Sequence, residues 1–188
     1  MRKFFICTSL LFFTAANASA GLEVYGGPTL GGQDLNYGPM PPSSPNLRNM
    51  DAGVALGAGW QFATPVSGLT FGPDLMWTSQ DYDPTDANLE SLSLMLHGRY
   101  SYDLSTALSV FVGVGAGFIE LEYEQPSATF LNGDDTITGF QAEVGMAYQL
   151  PTVTIFSAVK YQEGFDEGTI QSESVEYNST SAVIGIRF

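Results

Sequence analysis

Residues 91–102 read SLSLMLHGRYSY, and their alternation decides the fold. Leu92, Leu94, Leu96, Gly98, Tyr100 and Tyr102 share one parity. Ser91, Ser93, Met95, His97, Arg99 and Ser101 share the other. Successive side chains of a strand point to opposite faces, so a period of two predicts a strand with one apolar and one polar or small face. The apolar face ends in aromatic rings.

The same period runs outward in both directions. In Thr136–Tyr148, Phe140, Ala142, Val144, Met146 and Tyr148 oppose Gly139, Gln141, Glu143, Gly145 and Ala147. In Leu108–Phe118, Val110, Val112, Val114, Ala116 and Phe118 oppose glycines 113, 115 and 117. Asp51–Phe62 and the last stretch, about Val175–Phe188, alternate likewise. Leu22–Gly32, Leu69–Ser79 and Val153–Gln162 are less regular. The first two contain Pro28 and Pro73, which predict an edge or a bulge because proline removes a ladder donor. Eight strands result.

The connections alternate in length. Short ones fall at Thr64–Gly68, Asp103–Ala107 and Gln149–Thr152. Long ones fall at Gln33–Met50, Gln80–Glu90, Ile119–Asp135 and Glu163–Ser174. Strands of about ten residues joined by short turns on one side and long loops on the other predict an all-β fold: an eight-stranded antiparallel up-and-down transmembrane β-barrel. Amphipathic rings favour headgroup depth. Trp60, Phe62, Tyr100, Tyr102, Tyr148 and Phe188 would form a girdle at the short-turn end, and Trp77, Phe118 and Tyr161 one at the other. A soluble ligand-binding barrel is the rival, and it would turn the Leu/Val/Ile face inward.

The first 20 residues stand apart. Arg2 and Lys3 precede the apolar run FFICTSLLFF, and Ala18-Ser19-Ala20 supplies a small-residue cleavage site. These are the parts of a secretory signal peptide, too short to span a bilayer as a helix. Cys7 lies too early for a lipoprotein signal. The expected organisation is a cleaved signal peptide, residues 1–20, and a barrel domain, residues 21–188. The sole cysteine leaves with the signal, so no disulfide is expected. Four basic residues then remain (Arg48, Arg99, Lys160, Arg187) against 20 acidic ones, a formal charge of −16. Nucleic acid is excluded as a partner, because phosphates need a basic face.

Most of the acid falls in the expected long loops, including Asp81, Asp83, Asp86, Glu90, Glu120, Glu122, Glu124, Asp134, Asp135, Glu163, Asp166 and Glu167. Divalent cations could bridge such carboxylates to lipopolysaccharide phosphates. Asp81-Tyr82-Asp83 lacks the remaining ligands of a calcium loop, so no metal site and no cofactor is expected.

Parity sends Glu23, Asp74, His97, Arg99, Glu143, Lys160 and Arg187 into the interior. Buried charges need partners. Adjacent strands suggest Asp74 with Arg99, Glu143 with Lys160, and Glu23 with Arg187 where the first and last strands close. Such a network is either a structural plug or a gated, narrow ion path. His97 is the only histidine, so an enzyme using a histidine base would have to use it. Its parity points it inward near the short-turn end, away from any outer-leaflet lipid substrate.

The sequence resembles the small outer-membrane barrels of the OmpA-type and opacity-type family. The likeness is carried by Ala18-Ser19-Ala20, by LEVYGGPTLGG (residues 22–32), by FVGVGAGF (residues 111–118) and by the terminal SAVIGIRF (residues 181–188). The resemblance implies that Ile184, Ile186 and Phe188 form the C-terminal signal read by the barrel assembly machinery, with periplasmic chaperones acting before it. Larger members add a peptidoglycan-binding domain after the barrel; with the sequence stopping at Phe188, that role is not expected here. The resemblance specifies architecture more than activity. It implies a non-enzymatic outer-membrane protein with a structural or surface-interaction role in envelope integrity or adhesion. Its loops would meet a host or surface ligand. The alternatives are a low-conductance channel and a lipid-modifying enzyme.

Overall fold

The computed structural model describes residues 21–30, 53–82, 87–124, 133–170 and 173–188. The expected signal peptide and the first long connection, Gln33–Met50, lie outside the described residues. Eight strands close into an antiparallel barrel: β1 (Gly21–Pro28), β2 (Val54–Ala63), β3 (Leu69–Tyr82), β4 (Ala87–Asp103), β5 (Leu108–Glu124), β6 (Gly133–Gln149), β7 (Thr154–Gly164) and β10 (Asn178–Arg187). Between β7 and β10 a small hairpin, β8 (Gly168–Ile170) with β9 (Glu173–Val175), forms a separate two-stranded sheet. Each barrel strand pairs with its chain neighbour in the barrel, and β1 pairs with β10 through Glu23↔Arg187 to Gly26↔Ile184. Closure leaves no edge, as hydrocarbon requires of a spanning sheet.

The faces run in the direction the alternation predicts. Leu94 and Leu96 are exposed on the outside, Leu92 half-exposed beside them, while Ser91, Ser93, Met95, His97 and Arg99 are buried inside. Val114, on the outer face of β5, is 69% exposed. Trp60, Tyr100, Tyr102, Tyr148 and Phe188 are exposed at the short-turn end and Phe118 at the other. This outward apolar face rules out the soluble ligand-binding barrel.

Two expectations need correction. The stretches assigned to the second and third long loops are largely strand. β3 continues to Tyr82 and β4 begins at Ala87; β5 continues to Glu124 and β6 begins at Gly133. The reason lies in residues 119–124, IELEYE, which keep the period of two but exchange the faces. Below this point Val112, Val114 and Phe118 face out and glycines 113, 115 and 117 face in. Above it Glu120, Glu122 and Glu124 are exposed, and Ile119, Leu121 and Tyr123 are buried. The outer solvent has changed from lipid to water, so the inner wall becomes the apolar one. Strands of 17 residues exceed the roughly ten needed to cross a bilayer. The second correction is at the end of the chain: β10 starts at Asn178 rather than near Val175, because the β8–β9 hairpin intervenes.

Neither proline produces a bulge. The β2–β3 ladder breaks between Gly59↔Asp74 and Phe62↔Phe71 and resumes in the same register. The β1–β10 ladder breaks after Gly26↔Ile184 and resumes unshifted at the Thr29↔Ser181 bridge. In each case proline's missing donor falls on the interrupted side, and the other ladder runs on through Pro73↔Leu96 or Pro28↔Val54. A glycine precedes each proline where the strands press together. A Cβ on Gly72 would collide with the Trp60 carbonyl oxygen, and one on Gly27 with the Ala182 carbonyl oxygen. Only glycine fits that approach.

Candidate functional site: the filled interior of the barrel

Eight strands enclose a lumen just wide enough for side chains to fill. The filling is a connected polar chain. At the short-turn mouth Arg187, whose side chain is 25% exposed, donates from Nε to Glu23 Oε1 at 2.5 Å. The same oxygen accepts from Arg99 Nη1 at 2.5 Å. Arg99 Nε donates over Gly113 of β5 to Glu143 Oε1 at 2.5 Å. Glu143 Oε2 lies 3.5 Å from Lys160 Nζ. Lys160 donates to Asp74 Oδ2 at 2.6 Å and to the Tyr25 hydroxyl at 3.0 Å, and Tyr25 donates to Asp74 Oδ1 at 2.9 Å.

The chain continues upward without charge. Gln141 Nε2 donates to Asp74 Oδ2, and Gln162 Nε2 donates to both Gln141 Oε1 and Ser93 Oγ, all within 2.8 Å. Tyr177 donates to Gln162 Oε1 at 3.2 Å and shares a hydrogen bond with Ser91 Oγ at 2.9 Å; Ser91 in turn meets Thr78 Oγ1 at 2.7 Å. Polar side chains therefore join the short-turn mouth to the level of the upper apolar wall.

The charges balance: Glu23, Asp74 and Glu143 face Arg99, Lys160 and Arg187. Burial of this set would cost several kcal/mol per ion if unpaired, and pairing offsets it. Aromatic rings complete the shell. The Arg99 guanidinium lies 4.5 Å from the Phe111 ring centroid, and Lys160 Nζ lies 4.1 Å from that of Tyr25. Each contact adds a cation–π attraction to a desolvated cation.

All seven parity-assigned residues meet in this lumen, but the pairing differs from that suggested by neighbouring strands. Glu23 and Arg187 are cross-strand partners. Glu143 and Lys160 are also cross-strand partners, yet Lys160 is nearer to Asp74. Arg99 passes over Asp74 and reaches Glu23 and Glu143. Tyr25, Gln141, Gln162 and Tyr177 were not foreseen as members. All four carry the same inward parity as the charges of their stretches, Tyr177 that of Arg187 in the expected last strand, and this parity was the available signal.

His97 is 1% exposed and stands against Gly113, where a Cβ would come within 2.5 Å of its ring. Its Nε2 is 3.6 Å from Glu143 Oε1. It lies inside the barrel, with no face to lipid. Ile184, Ile186 and Phe188, expected from the resemblance to form an assembly signal, are exposed on the outer face. Among the described residues no group of three or more His, Cys, Asp or Glu side chains is arranged to hold a metal.

An apolar exterior between two aromatic girdles, closed around a charge-paired interior, defines a membrane-spanning barrel. This chain belongs to the family of outer membrane protein β-barrel domains, whose model matches residues 5–188. That membership places the barrel in the outer membrane. Among solved structures it is similar to Neisserial surface protein A, with a TM-score of 0.61 and 14% identity over 92% of this chain and 98% of that one. It is also similar to the outer membrane protein OprG of Pseudomonas aeruginosa, with a TM-score of 0.55 and 13% identity over 91% and 97% of the two chains. At these identities the likeness concerns the fold alone. No curated protein sequence matches the chain.

Proposed function

We propose that this barrel is a non-conducting, non-enzymatic outer-membrane protein that supports the envelope or presents its outer wall for surface contact. The observation that carries this reading is the polar chain from Arg187 to Thr78, which occupies the lumen with paired, buried side chains. A filled lumen serves anchoring and display rather than transport. On the long-loop side, which outer-membrane barrels turn to the exterior, Glu90, Glu120, Glu122, Glu124 and Asp134 face outward. This acidic wall suits divalent-cation bridging to lipopolysaccharide phosphates. The buried, inward His97 argues against lipid-modifying chemistry, and unchanged lipid A in cells overproducing the protein is the expected outcome.

Export would follow cleavage after Ala20, giving a mature chain whose mass begins at Gly21. Assembly would proceed through chaperones and the machinery reading Ile184, Ile186 and Phe188. The functional test is recording in planar bilayers. Purified barrel should give no reproducible unitary steps; steady, discrete openings would overturn this reading in favour of a small channel.

A further inference from the structure

The excursion from Phe165 to Tyr177 leaves the top of β7 and returns at the start of β10. Its two ends are tied together, since the Gly164 N–H donates to the Tyr177 carbonyl at 3.0 Å. From there the chain leans towards β6. The Phe165 N–H donates to the Thr138 carbonyl at 2.8 Å, the Thr138 hydroxyl to Asp166 Oδ2 at 2.9 Å, and the Thr169 N–H to Asp135 Oδ2 at 2.6 Å. Gly168 is buried. A Cβ there would lie 3.4 Å from Ile137 Cγ2 and 3.5 Å from Leu121 Cδ1, so the first strand of the hairpin rests on the upper apolar wall.

Tyr177 enters the lumen itself. It is 3% exposed and packs in one cluster with Met95, Ile119, Leu121 and Ile137. Its hydroxyl links this excursion to the polar chain through Ser91 and Gln162. The hydrogen bonds at the rim accepted by the carboxylates of Asp166 and Asp135 are exposed to solvent. Segments held in this way open at much lower free energy than the whole fold.

We infer that residues 165–170 and 173–177 form a strap closing the outer mouth of the lumen, with Tyr177 as its latch. The strap controls access from the exterior to the polar groups beneath it, Ser93, Gln141 and Gln162. The inference borrows from the proposed function only the assignment of the long-loop side to the exterior.

The test uses Ser93→Cys, a fully buried position below the latch and, once the signal is removed, the sole thiol in the chain. The folded protein in lipid vesicles is treated with a charged, membrane-impermeant thiol reagent. Folding is monitored in parallel by the heat-dependent gel shift. With the strap intact labelling should be slow. Adding Tyr177→Ala should speed it by about tenfold or more, and Tyr177→Phe, which keeps the ring but loses its hydrogen bonds, by less. If Tyr177→Ala does not fold, Thr138→Val, which removes one rim tether, should still raise the rate. Equal labelling in all folded variants, fast or slow, would overturn the strap. Channel steps from a protein whose introduced thiol stays protected would instead sink the non-conducting reading and leave the strap in place.

Discussion

Arg99 and Glu143 meet at 2.5 Å over Gly113 of the strand between them, although 44 residues separate them in the chain. One guanidinium bridges two carboxylates, because Arg99 also holds Glu23 at the closure of the barrel. Arg99→Met removes the centre of this arrangement and leaves two buried carboxylates short of a partner. Breaking a buried pair from one side typically costs about 3–5 kcal/mol. Urea unfolding of the barrel in lipid should show a loss of that order. Arg99→Met combined with Glu143→Gln should recover part of it, since the orphaned charge is then gone.

The exchange of faces at residues 118–120 predicts where a new charge is tolerated. Val114→Arg places a cation on the lipid face and should cost roughly 2–4 kcal/mol. Thr136→Arg, outward on β6 opposite Glu120, lies above the belt and should change stability by no more than about 0.5 kcal/mol. Equal costs at the two sites would contradict the boundary.

Much of this was legible in the residues themselves. Alternation in SLSLMLHGRYSY assigned faces correctly, because a period of two admits one partition only. The wall above the membrane was not legible as strand. Clustered glutamates in IELEYE suggested a solvated loop, although the same alternation continued with its sense reversed. Partner choice was not legible either. Neighbouring strands suggested Asp74 for Arg99, but the register sets Arg99 opposite Thr70 and Asp74 opposite Met95, and the sequence alone does not give that register. Tyr177 shares the inward parity of Ser181 and Arg187, but it stands between a hairpin and β10, and nothing in the sequence marked that hairpin.

Glu122 gives a pH dependence outside the membrane. Burial, then the carboxylates of Glu124, Glu90, Asp134 and Glu120, push its carboxyl above the ordinary range. A carboxyl so raised binds protons more readily in the folded state than in the unfolded one. The folded barrel therefore loses stability as pH rises from the ordinary carboxylate value through the folded one, and regains it on acidification. Glu122→Gln should flatten that portion of the stability profile relative to the unaltered protein. A profile that keeps the same slope after the substitution would show that the crowding has no energetic consequence.

The chain contains two tryptophans, and both belong to the outer face, Trp60 near the short turns and Trp77 at the opposite limit, where its indole N–H donates to Glu90 Oε2 at 3.3 Å. Quenching of their fluorescence by lipids brominated at graded acyl depths tests the central claim, an apolar exterior held in lipid between two girdles around a charge-filled core. Single-tryptophan variants, Trp60→Phe and Trp77→Phe, separate the two signals. Each should be quenched most by bromines near the headgroups and least by bromines at the bilayer centre. Insensitivity of both to brominated lipid, or strongest quenching from the bilayer centre, would contradict the account.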